Sequence, residues 1–455
     1  MNEANDNLKL IKDQAQAAIN ELQGKLTQKL EVSAFTHKAI ERERKVKNAE
    51  SLLQVLFVYA VSNVSQRMLS VCAFFMGAGK CTYQAWQKRI LKCVPWLAYL
   101  LSDLMITFAK MDNTVYRKLT VHLVDASTFK QEGPNGLELR LHMNYNLTTG
   151  TMEEVKITDK HTAESFANFK IKPSHLYIGD AGYGKGKQLE HLVSRKAHAL
   201  FRITPHMVRL AEDNKGKKVI KMAEKLNTKK KFVELNCFVR TEKGRYLPVR
   251  IIASRLPEDK ALLAKERKRR KASKNQQKLG EETLIYAEWV ILMTTLDESY
   301  SAQYLLELYR ARWQVELLFK RIKQFFKVQK LRKATFEHSE ALVLLWLIIW
   351  AMAERQAIAA EIYLLNKHAD MTLYSPWTMC DFFFRRFQAT FNSLWAFCFD
   401  FKVHICDVYR LLCNNKQDRL NQYAYFRFGL GSFPSLDSEP LDYDLLDYES
   451  LLKTA

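Results

Sequence analysis

The hydrophobic rhythm of this chain changes near residue 115, and that change restricts the folds open to it more than any other feature. Up to about residue 112 the apolar residues recur at helical spacing, most clearly in Ser51 to Val61 and Thr82 to Leu101. From about 115 short β-type runs take over. LTVHLVDAS reads as a strand ending in Asp125, and LELRLHMNYN and EEVKITD alternate like antiparallel strands. SHLYIGDAGYG reads as a strand ending in Asp180, followed by a helix from Lys185 to Lys196 and another strand in HALFRIT. Strands with an interposed helix predict a mixed α/β sheet.

Residues 205–285 interrupt that sheet pattern. They hold β-like pieces, KFVELNCFVR and YLPVRIIAS, and a dense basic run from Lys265 to Lys278. YAEWVILMTTL then returns as a strand, and the chain reads as helical to about 428. The expected organisation is a helical DNA-binding region over 1–112, an α/β domain in two parts over 113–204 and 286–365, a β-rich basic insertion over 205–285, and a helical C-terminal region over 366–455. The turn around Gly77, Ala78 and Gly79 with the following CTYQAWQKRILK fits a recognition helix or a plain helical hairpin. The tail from Gly429 carries six acidic residues and no base before Lys453.

Charge narrows the partners. Lys and Arg exceed Asp and Glu by 21, a surplus that points to a polyanion, either nucleic acid or a membrane surface. The longest apolar run, Ala341 to Ala353, is thirteen residues, too short to span a bilayer. It reads as a core helix, and the membrane is set aside. The polar N-terminus has no apolar signal core, and the eight cysteines are scattered without a CxxC pair. A cytoplasmic location is expected.

The most specific local pattern lies in YRARWQVELLFKRIK. In a helix, Tyr309, Arg312, Glu316 and Lys323 fall within about 60° of one another and span about 20 Å. Arg312 and Glu316 alone could be a surface i,i+4 pair worth a few tenths of a kcal/mol. Asp125 and Asp180 alone could be turn residues bonding their own backbone. Together, two strand-end aspartates and a helical glutamate make a more specific set. Three carboxylates can share two Mg²⁺ ions about 3.5–4 Å apart, one at the attacking and one at the leaving oxygen of a phosphodiester. Without a cation they would repel one another and raise their pKa values.

The set resembles the DDE transposases of the IS4 family. That family's signature of Tyr, two residues, Arg, three residues, Glu, six residues and Lys is matched by Tyr309, Arg312, Glu316 and Lys323, with Trp313 beside the Arg. Its Asp-x-Gly-Tyr motif is matched by Asp180, Ala181, Gly182 and Tyr183, and its first Asp by Asp125 in VDAST. The resemblance implies an RNase H-like mixed sheet, interrupted by a β-rich insertion, with helical N- and C-terminal regions. It implies Asp125, Asp180 and Glu316 as catalytic metal ligands for Mg²⁺, with Mn²⁺ as an alternative. Tyr309, Arg312 and Lys323 would grip phosphates near the cleaved end. Trp289 would stack on a flipped base or else pack in the core, and Arg267, Lys268, Arg269 and Arg270 would lie along DNA. The implied reaction nicks each transposon end with water, and the freed 3′ hydroxyl then attacks phosphodiesters directly, with or without a DNA hairpin in between. No ATP takes part, and a homodimer is expected in the DNA complex.

Three rival readings compete. GDAGYGKGK imitates a P-loop, but Gly186 stands where Ser or Thr is required, so an ATPase is rejected. A catalytically silent, domesticated DNA-binding protein would not need every carboxylate and the whole stripe. Another RNase H-like nuclease would share the triad but would not need the Tyr, Arg and Lys at these spacings.

Overall fold

The computed structural model describes residues 30–393 except 43–45, 47, 63–68, 71, 74–77, 79–80, 112–118, 134–135, 327–330, 332–333 and 368–375. The expected turn at 77–79, apart from Ala78, and the acidic tail lie outside the described residues. Three helices open the fold: α1 (Leu30–Thr36), α2 (Ala49–Val61) and α3 (Tyr83–Met111). Helix α2 starts where the Asn48 side chain accepts from Ser51 N, which satisfies one of the unpaired amides of its first turn.

Strands β1 (Val121–Lys130), β2 (Glu138–Asn146) and β3 (Thr151–Asp159) form an antiparallel meander. A short 3-10 turn (Phe166–Asn168) leads to β4 (Leu176–Gly179), α4 (Gly186–Val193) and β5 (His198–Arg202). The segment expected as an insertion supplies β6 (Leu210–Ala211), α5 (Met222–Leu226), β7 (Phe232–Arg240), β8 (Tyr246–Arg255), α6 (Glu258–Lys274) and α7 (Glu281–Ala287). After it come β9 (Trp289–Thr294), α8 (Ala302–Arg310), α9 (Trp313–Phe325), α10 (Phe336–Lys367) and α11 (Pro376–Ser393).

All nine strands belong to one sheet, in the order β3-β2-β1-β4-β5-β9-β8-β7-β6. The pairs β1–β4 and β4–β5 are parallel, and the other neighbours are antiparallel. The strands of 205–285 therefore lengthen the sheet at one edge, because β8 pairs with β9 from Arg250 to Arg255. Both faces of the sheet's centre are covered. Leu123, Ile178, Leu200 and Leu292 belong to one hydrophobic core, while Val124, Tyr177, Phe201, Ile291 and Met293 belong to a second. Their alternation is the two-residue period of a strand, and burial on both faces is the usual condition of parallel strands.

The first core is closed by helices from both ends of the chain. Helix α10 packs against α2, α3 and α11. Trp346 Nε1 donates to the Ala60 carbonyl at 3.1 Å and Gln388 Nε2 to the Val61 carbonyl at 3.4 Å. These bonds satisfy carbonyls that the end of α2 leaves unpaired. One stretch, Phe336–Ile358, is long and apolar enough by length and composition to cross a membrane, yet 78% of that window is buried inside the fold. A helix apolar on nearly every side fits the middle of a helical layer.

Candidate active site

Strand β1 does not end at Asp125, contrary to the sequence reading; it runs five residues further, to Lys130. Its antiparallel partner β2 supports it along that whole length, whereas its parallel partner β4 pairs only with Val121 to Leu123. Leu123 pairs with Ile178, so two residues further on Asp125 stands level with Asp180, which follows the last residue of β4. Each aspartate shares the sheet face of the first-core residue two positions before it, the face that α9 covers. The crevice is created because β4 stops while β1 continues.

The stripe is not one helix. Helix α8 ends at Arg310 and α9 begins at Trp313. Across the junction the backbone bonds span three residues: Arg312 N to Tyr309 O at 3.0 Å, Gln314 N to Ala311 O at 2.9 Å and Val315 N to Arg312 O at 3.2 Å. Ala311 and Arg312 keep right-handed helical dihedrals, so the chain tightens into a 3-10 turn without reversing. That turn carries Arg312 inward over the Tyr309 ring, with its guanidinium carbon 5.9 Å from the ring centroid.

Arg312 is 8% exposed and bridges two of the expected carboxylates. Its Nη2 donates to Glu316 Oε1, and its Nη1 lies 3.7 Å from Asp125 Oδ2. Burial opposes the guanidinium charge, but Tyr309, Glu316 and Asp125 more than offset it and hold the group above the ordinary arginine range. Lys323 is also engaged: its Nζ donates to the Thr128 carbonyl at 3.0 Å and lies 5.1 Å from the Phe129 ring centroid. Tyr309 is itself buried in the first core.

Each aspartate uses one oxygen locally. Asp125 Oδ1 accepts from Ala126 N and Asp180 Oδ1 from Gly182 N, both at 2.8 Å. Burial pushes the Asp125 carboxyl up to about 7; Arg312 and the Ala126 amide pull it down, and Asp180 and Glu316 push it further up. The like charges of the other two carboxylates therefore reach Asp125. Among the described residues no three His, Cys, Asp or Glu side chains stand close enough to hold an ion together; the Arg312 guanidinium bridges Asp125 and Glu316 instead. The donor set nonetheless suits a hard divalent cation, since it offers only carboxylate oxygens and its members repel one another as they stand.

A residue that the spacing did not single out, Glu164, lies beside Asp180. A Cβ on Gly182 would stand 3.0 Å from Asp180 Oδ1 and 3.3 Å from Glu164 Oε2. No motif in HTAESFANF marks this position, and only the return of the chain from β3 to β4 brings it here. Trp289 is 2% exposed in the second core, with the Arg255 guanidinium carbon 5.8 Å from its ring centroid. Of its two expected roles, packing is the one it occupies. Arg267, Lys268, Arg269 and Arg270 are exposed on α6, and Arg270 pairs with Glu266 at 3.3 Å.

The chain is 27% identical over 320 residues, 69% of its length and 86% of the relative's, to the InsL protein of insertion sequence element IS186A of Escherichia coli strain K12, assigned as a transposase. It is 27% identical over 321 residues, with the same shares covered, to the transposase for insertion sequence element IS421 of Escherichia coli. The family model of the transposase DDE domain matches residues 117–352, a span that runs from just before β1 to within α10 and includes Asp125, Asp180 and Glu316. The chain belongs to the transposase DDE domain family.

Proposed function

We propose that this protein is the transposase of a bacterial insertion sequence of the IS4 type, which binds terminal inverted repeats, cuts the DNA at the element's ends and joins them to target DNA. One observation carries the reading: the buried Arg312 bridges Asp125 and Glu316, and the strand register sets Asp180 level with Asp125. Asp125, Asp180 and Glu316 would hold Mg²⁺, or Mn²⁺ in its place. Bound there, a pair of such ions would supply Lewis-acid stabilisation of the phosphate and of the attacking and leaving oxygens.

The chain's own residues account for the rest. Asp125 carries a proton below about pH 7 and sheds it as the site is loaded. Arg312, released from Glu316 and Asp125, is within the site to grip a phosphate oxygen by its planar fork. Lys323 and Tyr309 lie along the same helices and extend that grip, and Trp289 stands ready as a stacking surface only if β9 opens at its start. The exposed cations Arg267 to Arg270 on α6 and the helical N-terminal region bind the flanking DNA. Two copies working on two ends make a homodimer the active form.

The test is cleavage of labelled DNA carrying the element's terminal inverted repeats in the presence of Mg²⁺. Nicking at the 3′ end and strand transfer are expected, and Asp125→Ala, Asp180→Ala and Glu316→Ala should each abolish both. Full activity in any of the three removes that residue from the site. Full activity in all three ends the proposal.

A further inference from the structure

The loop that carries Glu164 is clamped from both sides. Before it, Arg140 Nη1 donates to the Thr162 carbonyl at 2.8 Å. After it, the Gln188 Oε1 on α4 accepts from Phe166 N at 2.9 Å and from Ser165 Oγ at 3.2 Å. Ser165 in turn caps the 3-10 turn by accepting from Ala167 N. Gln188 is buried, and α4 begins six residues after Asp180, so the clamp ties Glu164 to the same segment that carries the aspartate.

The result is a close pair of carboxylates to which no described cation is ion-paired. Asp180 Oδ1 and Glu164 Oε2 converge on the space that Gly182 leaves by having no side chain. A second observation concerns the neighbouring residue. The Tyr183 residue is fully buried, and its hydroxyl has no hydrogen-bond partner among the described residues. Burial first, then the charges of Asp125, Glu164 and Asp180, hold that hydroxyl protonated. Leaving such a donor buried and unpaired costs about 1–3 kcal/mol.

Mg²⁺ takes few ligands from a protein, often one or two carboxylates, and completes its octahedron with water and substrate phosphate. A pair is therefore enough. We propose that Glu164 joins Asp180 in holding a divalent cation, and that the Tyr183 hydroxyl donates into the ion's shell. This rests on the reading above that Asp180 is a metal ligand. It assigns one ion to the β4 side of the crevice, away from the Arg312 bridge, so that ion can enter without displacing the arginine.

The experiment uses the full-length protein without DNA and titrates Mn²⁺ alone, following free Mn²⁺ by its electron paramagnetic resonance signal. Glu164→Gln should weaken Mn²⁺ binding by at least about 10-fold, the scale of losing even a supporting group at a metal site. Glu164→Asp should recover part of that loss, and Tyr183→Phe should give a smaller one. Gly182→Ala keeps both carboxylates but crowds the space between them, so it should also weaken binding and serves if Glu164→Gln does not fold. A folded Glu164→Gln protein with unchanged Mn²⁺ affinity overturns the proposal, as does unchanged affinity in Gly182→Ala. Asp180→Asn separates the two readings. If it loses Mn²⁺ while Glu164→Gln keeps it, Glu164 alone is wrong; if neither variant changes binding, the assignment of Asp180 falls as well.

Discussion

Two regions along the nine-stranded sheet handle charge in opposite ways. At the β1–β4 crevice, acidic groups are half-buried, crowded together, and partly neutralised by one buried arginine. On the β8–β9 side, the cations of α6 stand exposed, and Arg270 has only a solvent-facing partner in Glu266. The difference teaches what each region can do. Groups held out of water interact strongly over a few ångströms and suit bond breaking. Exposed cations are screened at short range by salt and act on a long polyanion by displacing its counterions. One sheet can therefore carry both a reaction centre and a DNA track, provided the two are built at different depths.

The comparison breaks most directly at Asp125. Asp125→Ala should reduce end cleavage by about 10²–10³-fold or more, the scale of losing a charge-stabilising group in a water-excluded site, while DNA affinity in a gel-shift assay stays within a few-fold. Loss of DNA binding in place of cleavage would merge the two regions into one. Next in size is Trp289, which joins them through β9. Trp289→Ala should cost about 3–5 kcal/mol of stability in denaturant unfolding, as a buried aromatic does. If stability is unchanged and only end binding falls, the residue is a stacking surface and not a packing one.

Neutralising Arg267, Lys268, Arg269 and Arg270 together should leave the fold intact and weaken DNA binding at moderate salt. The slope of log affinity against log salt should become shallower by about one unit for each phosphate that the variant no longer neutralises. An unchanged slope would take α6 off the DNA. The smallest effect concerns the proton on Asp125. Its folded pKa is raised to about 7, so its contribution to stability is present below the ordinary aspartate range and is lost as pH rises through about 7. Asp125→Asn should flatten that part of the stability profile. By the same linkage, Mn²⁺ binding to the parent protein should strengthen as pH rises through about 7 and release a proton below it.

Much of the crevice is readable in the sequence, and the exceptions share a cause. Asp180 directly follows the last residue of its strand, which stops one position before the end that the apolar run predicts. Asp125 does not, because β2 extends β1 by pairing, and pairing partners are invisible in a local run of residues. Helical spacing aligns Arg312 with Glu316, and the two are bonded. The same spacing treats Tyr309 to Lys323 as one helix, where a 3-10 turn at Ala311 and Arg312 swings the guanidinium inward toward Asp125. YAEWVILMTTL reads as a single strand, yet Tyr286 and Ala287 close helix α7 and only Trp289 to Thr294 pair in the sheet. Glu164 carries no local mark at all.

The sequence by itself determined the classes of element, the alternation that covers both faces of the sheet, the basic balance, and the helical spacing that sets Arg312 against Glu316. These follow from side-chain periodicity and from residue types that chemistry cannot exchange. Only the tertiary structure decided that the segment of 205–285 joins the main sheet, that Trp289 lies in a core, that Arg312 spans two carboxylates, and that Glu164 stands over Gly182. Each of those depends on which distant segments meet, and a meeting of residues far apart along the chain leaves no period for either of them to show.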